Sequence, residues 1–415
     1  MQIVRKDGNT VPLLDNVFIV SQKAVKAAEL IGSENVVNAT IGSLYTEDEI
    51  IAAYDVVYDT YDHISKETKA QYAEAITGSA EFKRTVFDWV KGDNKFNLYH
   101  NVVATPGGTG AVALAMMNIL DINMKVLLPS LAWSSYQLMA KNNHLQIALY
   151  DMFEGDHFNL DAFAQQADTI MHQQGKLLVI INDPLHNPSG YTMSDEEWQA
   201  VIRIINRLAK LGPCVLLNDI AYIDYAKKLS TARDYMCHFN EIDDNVAIIV
   251  AFSCSKTLTS YGMRLGAAII LAKNETTVKL IYDTFENSAR AIWSNANNGW
   301  MANFVEVVNH NREAFLKEKQ KYVDLLALRS EIFITEAKAV ELPIYPYKEG
   351  FFVTLNITKP QLLERYHEAL MNDHIYTVKL HNGIRVALCS VNLTKTKGLA
   401  SRMKKIYDET IKNIA

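Results

Sequence analysis

Residues 247–271 read AIIVAFSCSKTLTSYGMRLGAAIIL: two continuous apolar runs, Ala247–Ala251 and Ala267–Leu271, joined by a segment that gathers Ser253, Ser255, Lys256 and Arg264. An apolar run without alternation suits a strand covered by helices on both faces, where every second polar side chain would otherwise be buried. Similar runs recur at Lys125–Leu128, Leu177–Asn182 and Val215–Asn218, bounded by Gly, Pro, Asn or Asp and separated by longer stretches of helical periodicity. That alternation, from about residue 99 to 272, predicts an α/β fold with a mostly parallel, doubly wound sheet.

Around this segment the chain has 415 residues, which exceeds what one hydrophobic core supports and predicts two domains. A Tyr-rich, charged stretch from Glu47 to Val90 reads as helices and loops leading into the sheet. Ser194, with Glu197 three residues on, has the form of a capping box opening a helix that Gly212–Pro213 stops. After Asn309 the pattern changes to a long charged helix through Arg329, short strands near Phe351–Leu355 and Arg385–Leu388, and a C-terminal helix. The expected division is therefore an arm with part of a small domain at 1–45, a large domain at 46–309, and a smaller α+β domain at 310–415.

Composition narrows the function classes. Hydrophobic residues make up 49% and charged residues 21%, as in an ordinary globular protein, and the net charge of −6 comes without a long basic run, which argues against nucleic-acid or membrane partners. Cys214, Cys237, Cys254 and Cys389 stand singly, without zinc or disulfide spacing, so they read as buried free thiols and no metal is expected. The N-terminus lacks an apolar core of signal-peptide length, and a cytoplasmic location is the expectation.

Four segments carry chemistry. In the first, Lys256 and its neighbours follow a strand; taken alone, a lysine there reads as a solvated loop residue. In LLNDIAYIDY an apolar strand delivers Asp219 and then Tyr222 at its carboxyl end, where open α/β sheets bind ligands, although Asp is also a favoured helix N-cap. INDPLHNPSGY places Asn187 before a tight Pro-Ser-Gly turn. ATPGGTGAVALAMMNIL is a Gly-rich turn opening a helix, so the N–H groups of Gly108, Thr109 and Gly110 would face an anion at the positive end of the helix dipole.

In order and inner spacing, TPGGTG, NPSG, D-x-A-Y, S-x-S-K with an Arg eight residues on, and a late G-x-R together resemble fold-type I enzymes that use pyridoxal 5'-phosphate (PLP). The closest resemblance is to the aspartate/aromatic branch of the class I aminotransferases, over about residues 38–390. The resemblance implies that Lys256 carries the cofactor as a Schiff base and shuttles the proton at the substrate Cα. It implies that Asp219 pairs with the ring nitrogen and that Tyr222 and Asn187 hydrogen-bond the ring oxygen. Phosphate would be held by Gly107, Gly108, Thr109, Ser253, Ser255 and Arg264, with Tyr72 reaching across a homodimer. Trp133, in PSLAWSSY, either stacks on the ring or is a packed core Trp; its spacing departs from the aspartate enzymes by about two residues.

For the substrate, Arg385 in HNGIRVALCSV matches the arginine that clamps the α-carboxylate, and Gly42 in NATIGSL lies where the small domain covers it. Arg290, in NSARAIWSNANNGW, matches the arginine presented across the dimer to a distal carboxylate. The implied reaction moves the amino group of an aspartate or aromatic L-amino acid to 2-oxoglutarate. Two competitors stand beside it: a PLP-dependent lyase or decarboxylase on the same scaffold, and a non-catalytic PLP-binding regulator, against which the lack of an expected basic helix-turn-helix speaks.

Overall fold

A computed structural model of the chain describes residues 3–4 and 16–414. Residues 1–2 and 5–15 of the expected N-terminal segment 1–45 lie outside the described residues. The chain divides into two compact units: Ala53–Pro184 with Met193–Gln320, and residues 16–52 with Leu185–Thr192 and 321–414. The chain thus passes between units at 52/53, 184/185, 192/193 and 320/321; the sequence reading places lines at 45/46 and 309/310.

The first unit is built on seven strands, β1 (Tyr99–Thr105), β2 (Lys125–Pro129), β3 (Gln146–Tyr150), β4 (Leu177–Asn182), β5 (Cys214–Asp219), β6 (Val246–Ser253) and β7 (Gly266–Ala272). They lie in the order β1-β7-β6-β5-β4-β2-β3. β7 is antiparallel to both neighbours, and the remaining pairs are parallel. β4, β5, β6 and β7 are buried at every residue, as their uninterrupted apolar sequences require.

Two strands fall outside the five read from sequence. β1 and β3 are the edges of the sheet, and their exposed positions carry Tyr99, His100, Gln146 and Leu149, which breaks the continuous apolar signature. The reversal of β7 follows from its connection: 254–265 holds one short helical turn rather than a crossover helix, so the chain comes straight back beside β6. Because β1, β2, β5 and β6 run the same way, their carboxyl ends share one edge, and α1 (Gly107–Asn118) and α2 (Ser135–Asn142) begin there.

Helix α3 (Asp195–Leu208) opens with the capping box: Ser194 Oγ accepts from Glu197 N at 3.2 Å and Glu197 Oε2 accepts from Ser194 N at 2.7 Å. It ends at Leu208, ahead of Gly212. Further along lie α4 (Glu275–Ile292), α5 (Asn298–Asn309) and the long charged α6 (Arg312–Ala339).

The second unit contains an antiparallel sheet of β8 (Phe352–Asn356), β9 (Val378–Lys379) and β10 (Gly383–Ala387), with β10 in the centre. Phe333, Val353, Leu355, Ile384 and Val386 form its core with Tyr366 of α7 (Pro360–Asn372) and Met403 of α8 (Leu399–Lys412).

All four cysteines are free, but Cys237 is exposed rather than buried, because the 3-10 helix Asp234–Glu241 turns Tyr235, Met236, His238 and Phe239 inward and leaves it outside. Among the described residues no helix is long and apolar enough to cross a membrane.

Candidate active site

The shared edge of the first unit's sheet collects the residues that the motifs single out. β5 ends in Asp219, which is 5% exposed; its Oδ2 accepts from the Tyr136 hydroxyl at 2.6 Å and its Oδ1 from Ala221 N at 3.0 Å. Burial pushes the Asp219 carboxyl above its ordinary range, opposed by the Tyr136 bond, the Ala221 N–H and the charge of Lys256. A cation placed beside it would favour its ionised form. Tyr136, the residue that makes the shortest of these contacts, was not singled out in the sequence. Its signal was its place one helical turn after Trp133, against which its ring packs edge-on at 5.4 Å. Trp133 itself is half-buried and packs against the core of the sheet.

Lys256 follows β6 in the short helix Cys254–Thr257, with Nζ 5.0 Å from the centre of the Tyr222 ring. Tyr222, 5% exposed, immediately precedes the 3-10 turn Ile223–Tyr225. The charge of Lys256 is felt at Asp219, so amine, phenol and carboxylate form one electrostatic group.

Beside them is a cradle for an anion. Helix α1 starts at Gly107 with no side chain capping it, leaving the first N–H groups to an outside acceptor. Gly107 has φ 72°, and a Cβ there would lie 2.5 Å from Arg264 Nη2, so a side chain at this position would be strained and would displace the guanidinium. Arg264 donates from Nη1 to Ser255 Oγ at 2.9 Å, and a Cβ on Gly108 would lie 3.2 Å from Ser253 Cβ. The backbone of Arg264 is itself left-handed, at φ 54°, a conformation that costs a non-glycine residue about 1 kcal/mol or more and is held where the surroundings demand it.

The other sequence-derived residues fall into two further groups. In the second unit Arg385 Nη2 donates to Thr40 O at 2.7 Å and Nη1 to Asn187 Oδ1 at 3.3 Å, while its guanidinium carbon sits 4.4 Å from the centre of the Phe352 ring. A Cβ on Gly42 would lie 2.8 Å from that same ring, so Gly42, Asn187 and Arg385 are brought together around Phe352.

In the first unit Tyr72 is 83% exposed, and Arg290, at the end of α4, is exposed with Nη1 donating to Ser294 Oγ at 2.7 Å. Asn295 stitches these two segments, accepting from Ala73 N at 3.0 Å and donating to Ala75 O at 3.3 Å.

A buried carboxylate, an amine beside a phenol, and an uncapped helix N-terminus flanked by two serines and an arginine could hold a ligand with a basic ring nitrogen, an amine-reactive group and a phosphate. Known proteins point the same way. An aromatic-amino-acid aminotransferase of Paracoccus denitrificans is 24% identical over 52% of this chain and 54% of its own length. An aspartate aminotransferase of Salmonella typhi is 28% identical over 56% of this chain and 58% of its own. The chain therefore spans little more than half the length of the curated relatives it matches.

Among solved structures, an aminotransferase from Anaerococcus prevotii superposes with a TM-score of 0.95 at 29% identity over 98% of this chain and 100% of that one. An aromatic-amino-acid aminotransferase from Burkholderia pseudomallei, covalently bound to pyridoxal phosphate, has the same fold, with a TM-score of 0.77 at 18% identity over 96% and 99% of the two chains. The sequence profile of aminotransferase class I and II matches residues 34–403, and the chain belongs to that family.

Proposed function

We propose that this protein is a PLP-dependent aminotransferase that passes the amino group of an aspartate-type or aromatic L-amino acid to 2-oxoglutarate. The observation that carries the reading is Asp219: a buried carboxylate at the end of a central strand, held by Tyr136, on the edge where Lys256 and the uncapped helix N-terminus also lie.

The cofactor, when bound, supplies an aldehyde that joins the amino group and a ring that accepts electrons from the substrate Cα. The residues supply the rest. Ser253, Ser255, Arg264 and the N–H groups of Gly107, Gly108 and Thr109 bind the phosphate as a doubly charged anion. Asp219 would hold a proton on the ring nitrogen by charge pairing, and Tyr222 and Asn187 would be the donors to the ring oxygen. Trp133 would be the aromatic side chain that holds the ring. The Lys256 amine would take the proton from the substrate Cα and return it.

Substrate recognition falls to Arg385, whose planar fork suits an α-carboxylate, with Gly42 leaving room above Phe352. Tyr72 and Arg290, exposed and stitched through Asn295, are suited to serve the site of a second copy in a homodimer.

The test is a panel of amino acids assayed with and without 2-oxoglutarate. Consumption of acceptor in step with donor supports the reading. Donor loss that ignores the acceptor would replace it with a lyase or decarboxylase on the same scaffold.

A further inference from the structure

Behind the Lys256 turn is a buried charged cluster that none of these roles uses. Asp224, 1% exposed, lies in the 3-10 turn directly after Tyr222. Its Oδ1 accepts from Arg233 Nη2 at 2.6 Å; its Oδ2 accepts from Trp89 Nε1 at 3.0 Å and from Thr257 Oγ1 at 2.6 Å. Lys319, on α6 and also 1% exposed, brings Nζ to 3.9 Å from Oδ2. Thr257 is the residue after Lys256 and the last of its helix. One carboxylate therefore ties the Tyr222 turn to the Lys256 turn across 33 residues of sequence.

This arrangement is costly if its only task is to fill space. Three cations lie by the Trp89 ring, the buried Arg233 and Lys319 at 5.7 and 5.0 Å from its centre and the exposed Arg312 at 5.1 Å, beside the buried carboxylate of Asp224. Lys319 Nζ and Arg233 Nε are buried without a hydrogen-bond acceptor. Replacing such a group by packed apolar residues is often neutral or stabilising, so its retention calls for a local use.

Burial works against charge on Asp224, yet Lys319, Arg233 and the Thr257 hydroxyl outweigh it and hold the carboxyl well below its ordinary range. Burial lowers Lys319 to about 8, against the pull of Asp224 and with the push of Arg233 and Arg312. The carboxylate is thus a fixed acceptor.

The bond to Thr257 directs the turn. The same hydroxyl lies 3.2 Å from O of Ser253, the residue that caps its own helix, so a local acceptor exists and the shorter contact is with Asp224. A second tie runs in parallel: the Tyr225 and Tyr54 hydroxyls meet at 2.5 Å, and Tyr54 N donates to Thr259 Oγ1 at 3.1 Å.

We propose that Asp224 is a positioning residue for Lys256: through Thr257 it fixes the turn that carries the amine against the turn that carries Tyr222, with Arg233 and Lys319 as its counter-charges. The inference rests on Lys256 being the cofactor-bearing lysine.

The experiment compares holoenzymes of wild type, Thr257→Val, Thr257→Ser and Asp224→Asn. It reads the pH midpoint of the bound cofactor's visible absorbance, and kcat and donor KM separately. Thr257→Val keeps the side-chain shape and removes only the hydroxyl, so the test stands even if Asp224→Asn fails to fold. The expected result is a midpoint moved by about 0.5 pH unit or more, and kcat lowered roughly 10- to 100-fold, as loss of positioning costs. Donor KM should stay within about twofold, and Thr257→Ser should restore both midpoint and kcat.

An unmoved midpoint and kcat in Thr257→Val would overturn the inference, as would a Thr257→Ser enzyme as impaired as Thr257→Val. Borohydride reduction and peptide mapping of the wild type separate the two assignments. Cofactor trapped on another lysine withdraws the reading of Lys256. Cofactor on Lys256 with an unmoved midpoint in Thr257→Val withdraws the positioning role alone.

Discussion

Tyr136→Phe removes one oxygen atom and leaves the ring in place, yet it should change stability in a pH-dependent way. The lost contact is a 2.6 Å hydroxyl bond to a carboxylate that is 5% exposed, from a tyrosine that is 1% exposed. A hydrogen bond to a charged group contributes about 1.5–3 kcal/mol, and one to a neutral group about 0.5–1.5 kcal/mol. The folded-state Asp219 carboxyl lies above its unfolded value, with burial the largest cause. Wild-type stability therefore falls as pH rises from the unfolded carboxylate value through the folded one, because the unfolded chain releases its proton first.

The Tyr136 hydroxyl opposes that fall, so its removal should raise the Asp219 carboxyl further. Urea unfolding of the cofactor-free protein at two pH values measures this. At a pH where Asp219 is ionised in the wild-type fold, the variant should lose about 1.5–3 kcal/mol; at a pH where it is protonated the loss should shrink to about 0.5–1.5 kcal/mol. A loss of the same size at both pH values would refute the charge-assisted bond, and no loss at either would remove Tyr136 from the site.

Other consequences can be checked directly. Lys256→Ala should abolish turnover while the protein still retains PLP noncovalently, since phosphate and ring contacts rest on other residues; equilibrium dialysis and absorbance test this, and retained turnover would count against it. Asp219→Ala should lower kcat far more than Asn187→Ala, because the first removes a charge and the second one neutral hydrogen bond; comparable small losses would contradict the role given to Asp219. Arg290→Leu should raise KM for dicarboxylic donors by an amount reflecting roughly 1.5–3 kcal/mol per lost charged hydrogen bond, with phenylalanine or tyrosine less affected. Equal loss for both donor classes, or none, would take Arg290 out of substrate recognition.

How far the sequence carries depends on where a residue's signal comes from. The buried strands β4 to β7 were legible because a strand covered on both faces has no polar alternation, whereas the edges β1 and β3 carry polar or exposed positions and were not. The capping box at Ser194 and Glu197 was legible because its partners are three residues apart.

Asp219, Tyr222, Lys256 and Arg264 announce themselves by following strands in short motifs. Tyr136 and Asp224 do not: each acts through a partner 83 or 33 residues away, and only the parallel stacking of β2, β5 and β6 brings those partners to one edge. The exposure of Cys237 was likewise invisible, since it depends on which face of a short 3-10 helix meets the core.

The most direct measurement of the central claim is the pair of half-reactions followed by the absorbance of the bound cofactor. Addition of aspartate or an aromatic amino acid alone should convert the resting spectrum stoichiometrically, and subsequent 2-oxoglutarate should restore it with formation of glutamate. A spectrum that turns over continuously with donor alone, or that 2-oxoglutarate fails to restore, would contradict amino-group transfer as the activity of this protein.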